Sequence, residues 1–328
     1  MKHQKNNTYQ EIAARLLQLN NILIFPHVNM DGDALGSSSA LCMGLRKLGK
    51  KAAILVSEDT PKNLDFLGQG MLVQEPDFTA ELAIMLDCSG MNRIPQREEC
   101  FEAAPVKAVI DHHGVTGDQP EFDFGRIEPD SAATGELVAL LLREMDVDFD
   151  VPIAEALFAA ITTDSGNFQH SNTTARTHRI AADLYSVEGF NSKRVSNLIY
   201  NRRSIQSIRL NSLVMSGIHM YREGKIAIAR VSQEILRETG CDLSECEGFV
   251  QDLMSIDGVE VGCLLKEAEP SVIRCSLRSR ARVNVAEVAS SLGGGGHVPA
   301  AGCRIRKPLE EAETIISERI IEQLDKDI

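Results

Sequence analysis

Short apolar runs alternate with segments of helical spacing along the first half of the chain. The runs NILIFPH, KAAILVS, ELAIMLD and VKAVIDHH are rich in Ile, Val and Leu, and their length predicts strands. ALGSSSALCMGLRKLG and SAATGELVALLLREM instead place apolar residues at the period of an α-helix. That alternation predicts an α/β domain built on a parallel sheet. Two further helices, VPIAEALFAAITT and TARTHRIAADLYSVEG, flank the loop DSGNFQHSNT, whose Asp, Ser, Gly and Asn suit a turn and a helix cap. The domain is expected to span residues 1–189. Residues 190–220 are polar, rich in Arg and Ser and helical in pattern without strand signals, so they read as a helical connector. A smaller α/β domain with a mixed sheet is expected over residues 221–328. It runs from strand KIAIARVS through a helical segment around EGFVQDLMSI to strands VEVGCLLKE and SVIRCSLRS, helix VNVAEVASSL, the run GGGG, and a last strand and helix.

Composition narrows the class. With 328 residues and 43% hydrophobic content the chain can fill two cores. A net charge of −13 argues against wrapping long nucleic acid, which needs a broad positive surface to displace counterions. Any anionic substrate must then be captured locally. The eight cysteines form no C-x-x-C pair, which fits neither a zinc knuckle nor a disulfide framework and points to reduced thiols in the cytoplasm. The start MKHQKNNTYQEIAARLL has no apolar signal region, and no stretch approaches the ~20 apolar residues of a membrane span, so neither secretion nor a membrane is expected.

The candidate chemistry gathers at strand ends. In an open α/β sheet, ligands bind outside the carboxyl ends of the strands. His27 ends the first strand and precedes the loop VNMDGD with Asp31 and Asp33, Asp87 ends the ELAIML strand, and Asp111, His112 and His113 end the VKAVI strand. Taken singly, each such Asp is more often a helix cap or turn former. Together the carboxylates would repel one another unless cations neutralise them. Asp31, Asp33, Asp87 and Asp164 carry four negative charges, which two divalent ions balance, with His27 and His112 as neutral ligands. Mixed oxygen and imidazole donors suit Mn2+ first, with Mg2+, Co2+ or Fe2+ as alternatives, and exclude a thiolate-rich zinc site. Two metals ~3.5–4 Å apart clamp the attacking and leaving oxygens of an in-line displacement at phosphorus and acidify a bridging water. Phosphoester hydrolysis is the natural reaction. Deamination and peptide cleavage lack their signatures here, since neither H-E-x-x-H nor P-C-x-x-C is present. In the second domain, Gly293 to Gly296 followed by His297 would let backbone amides approach an anion, where a plain flexible loop is the more common role of a glycine run. Arg278 and Arg280 could reach a phosphate, although strand arginines are more often solvated surface.

Read together, these residues resemble the DHH phosphoesterase superfamily over essentially the whole chain. Its four motifs appear as HVNMDGDALGS (27–37), Asp87 of MLDCSG, DHHG (111–114) and TTDSGNFQHSNTT (162–174). The SLRS and GGGGHVPAAG segments look like the DHH-associated C-terminal domain of the nano-RNase and pAp-phosphatase branch. The resemblance implies that His27, Asp31 and Asp87 hold one metal while Asp33, Asp87, His112 and Asp164 hold the other, with Asp87 as bridge. It makes Asp111 the residue that orients the histidines, and His113 the one that faces the substrate phosphate and stabilises the transition state or assists proton transfer. Arg278, Ser279, Gly294, Gly295, Gly296 and His297 would bind the nucleotide. Ser131 and Thr134 stand where the family often has Ser-Ser-Thr-Gly, and this chain reads SAATG.

Within that family, manganese-dependent pyrophosphatases have a different second domain, and RecJ-like nucleases are longer. A compact two-domain form implies very short substrates: RNA of ~2–5 nucleotides, linear dinucleotides such as pApA or pGpG, and pAp. Phe168, close to Asp164, is the candidate base contact, with core packing its more common role. A cyclic-dinucleotide phosphodiesterase and a catalytically idle nucleotide-binding module are the rival readings. The long connector and apolar strands are compatible with a homodimer.

Overall fold

The computed structural model describes residues 6–114, 119–246, 248–280 and 282–327, with the side chain of His297 outside that description. It divides the chain into two compact units, Met1–Arg202 and Arg203–Ile328.

The first unit runs α1 (Tyr9–Gln18), β1 (Asn21–Phe25), α2 (Gly32–Lys47), β2 (Lys51–Leu55), β3 (Leu72–Val73), β4 (Leu82–Leu86), α3 (Glu98–Ala103), β5 (Val106–Asp111), β6 (Phe124–Ile127), α4 (Thr134–Glu144), α5 (Val151–Asp164), α6 (Ala175–Tyr185) and α7 (Ser192–Tyr200). Its six strands are all parallel, in the order β3-β2-β1-β4-β5-β6. Parallel crossovers cover both faces, which is why β4 is buried at every position and its sequence is continuously apolar. On one face Ile22, Ile24, Ile54, Ile84 and Ile110 pack with residues of α1, α2, α4 and α5. On the other, Leu23, Phe25, Met85 and Val109 pack around Phe101 of α3.

The elements that sequence patterning leaves unread are short or capped outside any apolar run. β6 is only four residues and includes a Gly and an Arg, while β3 is a two-residue edge strand. α1 begins at a capping box made by Thr8 and Glu11, within a stretch too polar to stand out.

α2 and α5 approach closely because small residues line the contact. A Cβ added at Gly36 would lie 2.5 Å from Ala156 O and 2.9 Å from Ala160 N, both backbone atoms of α5. A glycine-to-alanine change inside a helix ordinarily gains up to ~1 kcal/mol of propensity. Here the clash reverses the sign, and Gly36→Ala is expected to destabilise the unit by about 2 kcal/mol, read as a lower urea midpoint. An unchanged or higher midpoint would contradict the close packing of α2 on α5.

The second unit runs α8 (Ile205–Ser216), β7 (His219–Tyr221), β8 (Ile226–Val231), α9 (Gln233–Thr239), α10 (Phe249–Met254), β9 (Val261–Glu269), β10 (Val272–Ser279), α11 (Val285–Ser291), β11 (Gly295–His297), β12 (Ala300–Ile305) and α12 (Leu309–Asp327). Its sheet has the order β11-β12-β10-β9-β8-β7 and is mixed, with β8 and β9 parallel and the other pairs antiparallel. Residues of α11 and α12 pack on one face and residues of α8 and α10 on the other. The stretch without strand signals does contain strand residues at its end, since β7 begins at His219. Among the described residues no helix is long and apolar enough to cross a membrane.

Candidate metal centre

The strand order reverses between β1 and β4, and a crevice opens at such a switch point beyond the carboxyl ends of the strands. The candidate residues stand there. His27 lies two positions past β1, Asp87 directly follows β4, Asp111 closes β5, and His112 and His113 follow it. Asp87 holds a left-handed backbone at φ 61°, unusual for a residue with a Cβ, and its N–H donates to Ile110 O at 3.1 Å.

Asp31 and Asp33 are not both in a loop. Asp31 caps α2 and Asp33 lies in its first turn. The capping role and a place at the centre prove compatible. Asp31 Oδ1 accepts from the amides of Asp33 (3.1 Å) and Ala34 (2.9 Å), while Oδ2 lies 3.6 Å from His27 Nε2. Asp164 is the last residue of α5.

These groups fall into overlapping sets whose donor atoms lie within 4.8 Å of one another, and the sets could hold metal ions: His27, Asp31 and Asp87; Asp33, His112 and Asp164; and Asp87, His112 and His113. Asp87 is shared. Its Oδ2 is 3.5 Å from His27 Nε2, and its Oδ1 is 3.5 Å from His112 Nε2 and 3.6 Å from His113 Nδ1. His112 Nε2 also lies 3.1 Å from Asp164 Oδ2 and 3.7 Å from Asp33 Oδ2. Both Asp87 Oδ2 and His112 Nε2 are buried without a hydrogen-bond partner. A buried carboxylate oxygen and imidazole nitrogen without partners are costly, and a cation coordinated by both removes that cost. The donor set therefore fits hard or borderline divalent ions.

The neighbouring residues orient this set. The Thr134 N–H donates to Asp33 Oδ2 at 2.6 Å, the Gly135 N–H donates to Asp33 Oδ1 at 2.8 Å, and the Thr134 hydroxyl donates to Asp87 Oδ1 at 2.8 Å. The first turn of α4 thus grips two of the aspartates. His27 Nδ1 faces Val28 O at 2.9 Å and His112 Nδ1 faces Ser131 O at 3.1 Å. A ring nitrogen against a carbonyl carries the proton, which turns the Nε2 lone pair of each ring toward the carboxylates. Asp111 Oδ1 accepts from both the N–H (3.0 Å) and the Nδ1 (2.8 Å) of His113. Ser131 and Thr134 so contribute through a carbonyl and a hydroxyl, a role that needs the fold to be seen.

The metal-free electrostatics express the crowding. Burial pushes Asp33 well above the usual carboxylate range, and the charges of Asp87, Asp164 and Asp31 add to it. Burial likewise leads the rise of Asp164 to about 6. For His27 burial works downward, but the neighbouring carboxylates of Asp31 and Asp87 outweigh it and lift the imidazole to about 10. His112 rises to about 9 against the same burial, chiefly through Asp164. Without cations the cluster holds protons instead.

The residues proposed from the second domain lie together in the second unit. Arg278 and Ser279 end β10, where Arg278 aligns with Ala300 of β12, which in turn aligns with His297 of β11. Arg278 donates to Leu277 O at 3.0 Å and has no carboxylate partner among the described residues. The Ser279 hydroxyl is spent on Val283 O at 2.6 Å. The glycine run is not wholly loop. Gly295 and Gly296 belong to β11, where a Cβ at Gly296 would meet Ala300 O at 2.5 Å, and one at Gly294 would meet Gly302 O at 2.2 Å. Bare glycines let the edge strand press against β12. The imidazole of His297 lies outside the described residues. The Phe168 ring, at positive φ, stacks on His178 with centroids 5.4 Å apart and packs against the core of the first unit.

Comparison with known proteins agrees with this architecture. The DHH family N-terminal domain matches residues 21–161 and the DHHA1 domain matches residues 223–326. A Thermus thermophilus protein named bifunctional oligoribonuclease and PAP phosphatase NrnA is 31% identical over 313 residues, covering 93% of this chain and 90% of its own. A Bacillus subtilis protein of the same name is 26% identical over 94% of this chain and 96% of its own. The crystal structure of an exopolyphosphatase-related protein from Bacteroides fragilis superposes with a TM-score of 0.89 at 24% identity, covering 98% of both chains. With both domains matched in order and a relative at 31% identity along nearly its full length, the chain belongs to the DHH family of phosphoesterases and carries a DHHA1 domain.

Proposed function

We propose that this chain is a two-metal phosphoesterase that hydrolyses RNA of ~2–5 nucleotides, linear dinucleotides such as pApA and pGpG, and the 3′-phosphate of pAp. The observation that carries the reading is Asp87, a buried carboxylate whose two oxygens face different imidazoles and of which one oxygen has no hydrogen-bond partner. In this reading His27, Asp31 and Asp87 hold one divalent ion, and Asp33, Asp87, His112 and Asp164 hold the second. Mn2+ is the ion that the mixed carboxylate and imidazole donors favour. When bound, the ions supply the positive charge that acidifies water and draws off charge from the phosphoryl oxygens. The chain's own residues do the rest. The first turn of α4 keeps Asp33 and Asp87 in place, while Asp111 holds the His113 imidazole beside Asp87, where it can donate to a phosphoryl or leaving oxygen. The names of the Thermus and Bacillus relatives support the substrate class.

A panel of pAp, pApA, pGpG, short RNA and cyclic dinucleotides with Mn2+ tests the proposal. Turnover of the linear substrates and little of the cyclic ones is expected, and no turnover of any would sink it. Arg278 refines the panel. Its guanidinium is half-buried and, among the described residues, has no carboxylate partner, so it suits a substrate phosphate. Arg278→Ala is expected to raise KM for pApA by roughly 10–100-fold with a smaller effect on kcat, the range of a lost charge-assisted contact. An unchanged KM would remove Arg278 from the substrate site.

A further inference from the structure

Behind His112 lies a polar network that no residue of the metal cluster explains. His112 Nδ1 donates to the carbonyl of Ser131, a residue only 1% exposed. The hydroxyl of Ser131 accepts from one terminal nitrogen of Arg176, on α6, 45 positions further along the chain. Arg176 also donates through Nε to Glu136 Oε2 at 2.9 Å and through its other terminal nitrogen to Glu128 Oε1. Glu136 is fully buried in the first turn of α4, and Glu128, the residue after β6, is held further by Arg126 and by the Tyr9 hydroxyl at 3.3 Å.

One guanidinium therefore forks onto three points of a single segment, residues 128–136. That segment supplies four contacts to the candidate metal centre: Ser131 O to His112, the Thr134 N–H and hydroxyl to Asp33 and Asp87, and the Gly135 N–H to Asp33. We propose that Arg176 is a positioning residue for the metal centre, acting through Ser131 to aim His112 Nε2 at the carboxylates. The inference rests on the reading of His112 as a metal ligand. Groups that orient metal-ligating histidines typically change metal affinity when lost, without touching the ion themselves. A planar fork is what the geometry uses, so lysine, a point charge, substitutes for the charge and not for the arrangement.

The test is Mn2+ binding to metal-free protein by titration calorimetry. Truncating Arg176 would strand buried Glu136 and threaten folding, so Arg176→Lys and Ser131→Ala are the variants. Wild type should bind Mn2+. Arg176→Lys is expected to weaken binding about 10–100-fold, Ser131→Ala by a smaller factor, and the double variant no further than Arg176→Lys alone, because both act on one path. A merely structural arginine would lower the melting temperature and leave Mn2+ affinity unchanged, and that result overturns the inference. So does a fully additive double variant. If wild type itself takes up no Mn2+, the reading of the metal centre fails first, and the variants are not needed to show it.

Discussion

Asp87→Asn is expected to fold and to lose Mn2+-dependent hydrolysis of pApA by roughly 10⁴-fold, about 5 kcal/mol of transition-state stabilisation. Asparagine is the informative replacement. It tolerates the left-handed backbone at this position better than most residues, and its side-chain oxygen can still accept from the Thr134 hydroxyl at the place where Asp87 does so. What it removes is the charge shared between the His27 side and the His112 side of the cluster. A steady-state assay on a variant with wild-type circular dichroism measures the loss. Residual turnover within tenfold of wild type would mean that Asp87 does not bridge two ions.

Mn2+ should also stabilise the first unit strongly, and more so at higher pH. At an ion concentration ~100 times Kd each site adds about 2.7 kcal/mol, so two sites raise the melting temperature by about 10–20 °C in a unit of this size. The second unit should melt as before. The sign of the pH effect follows from the metal-free groups. His27 and His112, raised to about 10 and about 9, stabilise the metal-free fold fully below their ordinary imidazole range and lose that contribution as pH rises through those values. Asp164, raised to about 6, costs stability once pH passes its ordinary carboxylate value. Ion binding displaces these protons, so affinity rises with pH while the metal-free protein weakens. The gap between melting temperatures in Mn2+ and in chelator is expected to widen from pH 6 to pH 8. A constant or narrowing gap would count against His27 and His112 as ligands.

Much of this was legible in the residues. The apolar runs that end in His27, Asp87 and Asp111 mark strands because burial on both faces demands continuous Ile, Val and Leu, and the acids mark where burial stops. The parallel first sheet follows from the alternation of these runs with helical segments. Local pattern could not show that Asp33 sits on α2, since the helix start is set by the hydrogen bonds of Asp31 rather than by an apolar position. Nor could it join Ser131 to Arg176, because an ion-pair network across 45 residues leaves no periodic trace. The glycine run misleads for a related reason. Glycine is poor in strands, yet Gly296 enters one where the neighbouring backbone of β12 leaves no room for a Cβ.

The reversal of strand order at β1 and β4 bears on how the centre comes into being during synthesis. His27 and Asp31 emerge early, Asp87 and His112 follow across the sheet, and Asp164 arrives only when α5 is made, after all six strands. No local piece of chain contains a complete ion cage. Contacts of such long sequence separation close late, after the loops between them have been ordered. In the proposed reading, the set completed by Asp164 can take a metal only once α5 has been made, and the Arg176 network on α6 that positions His112 closes later still.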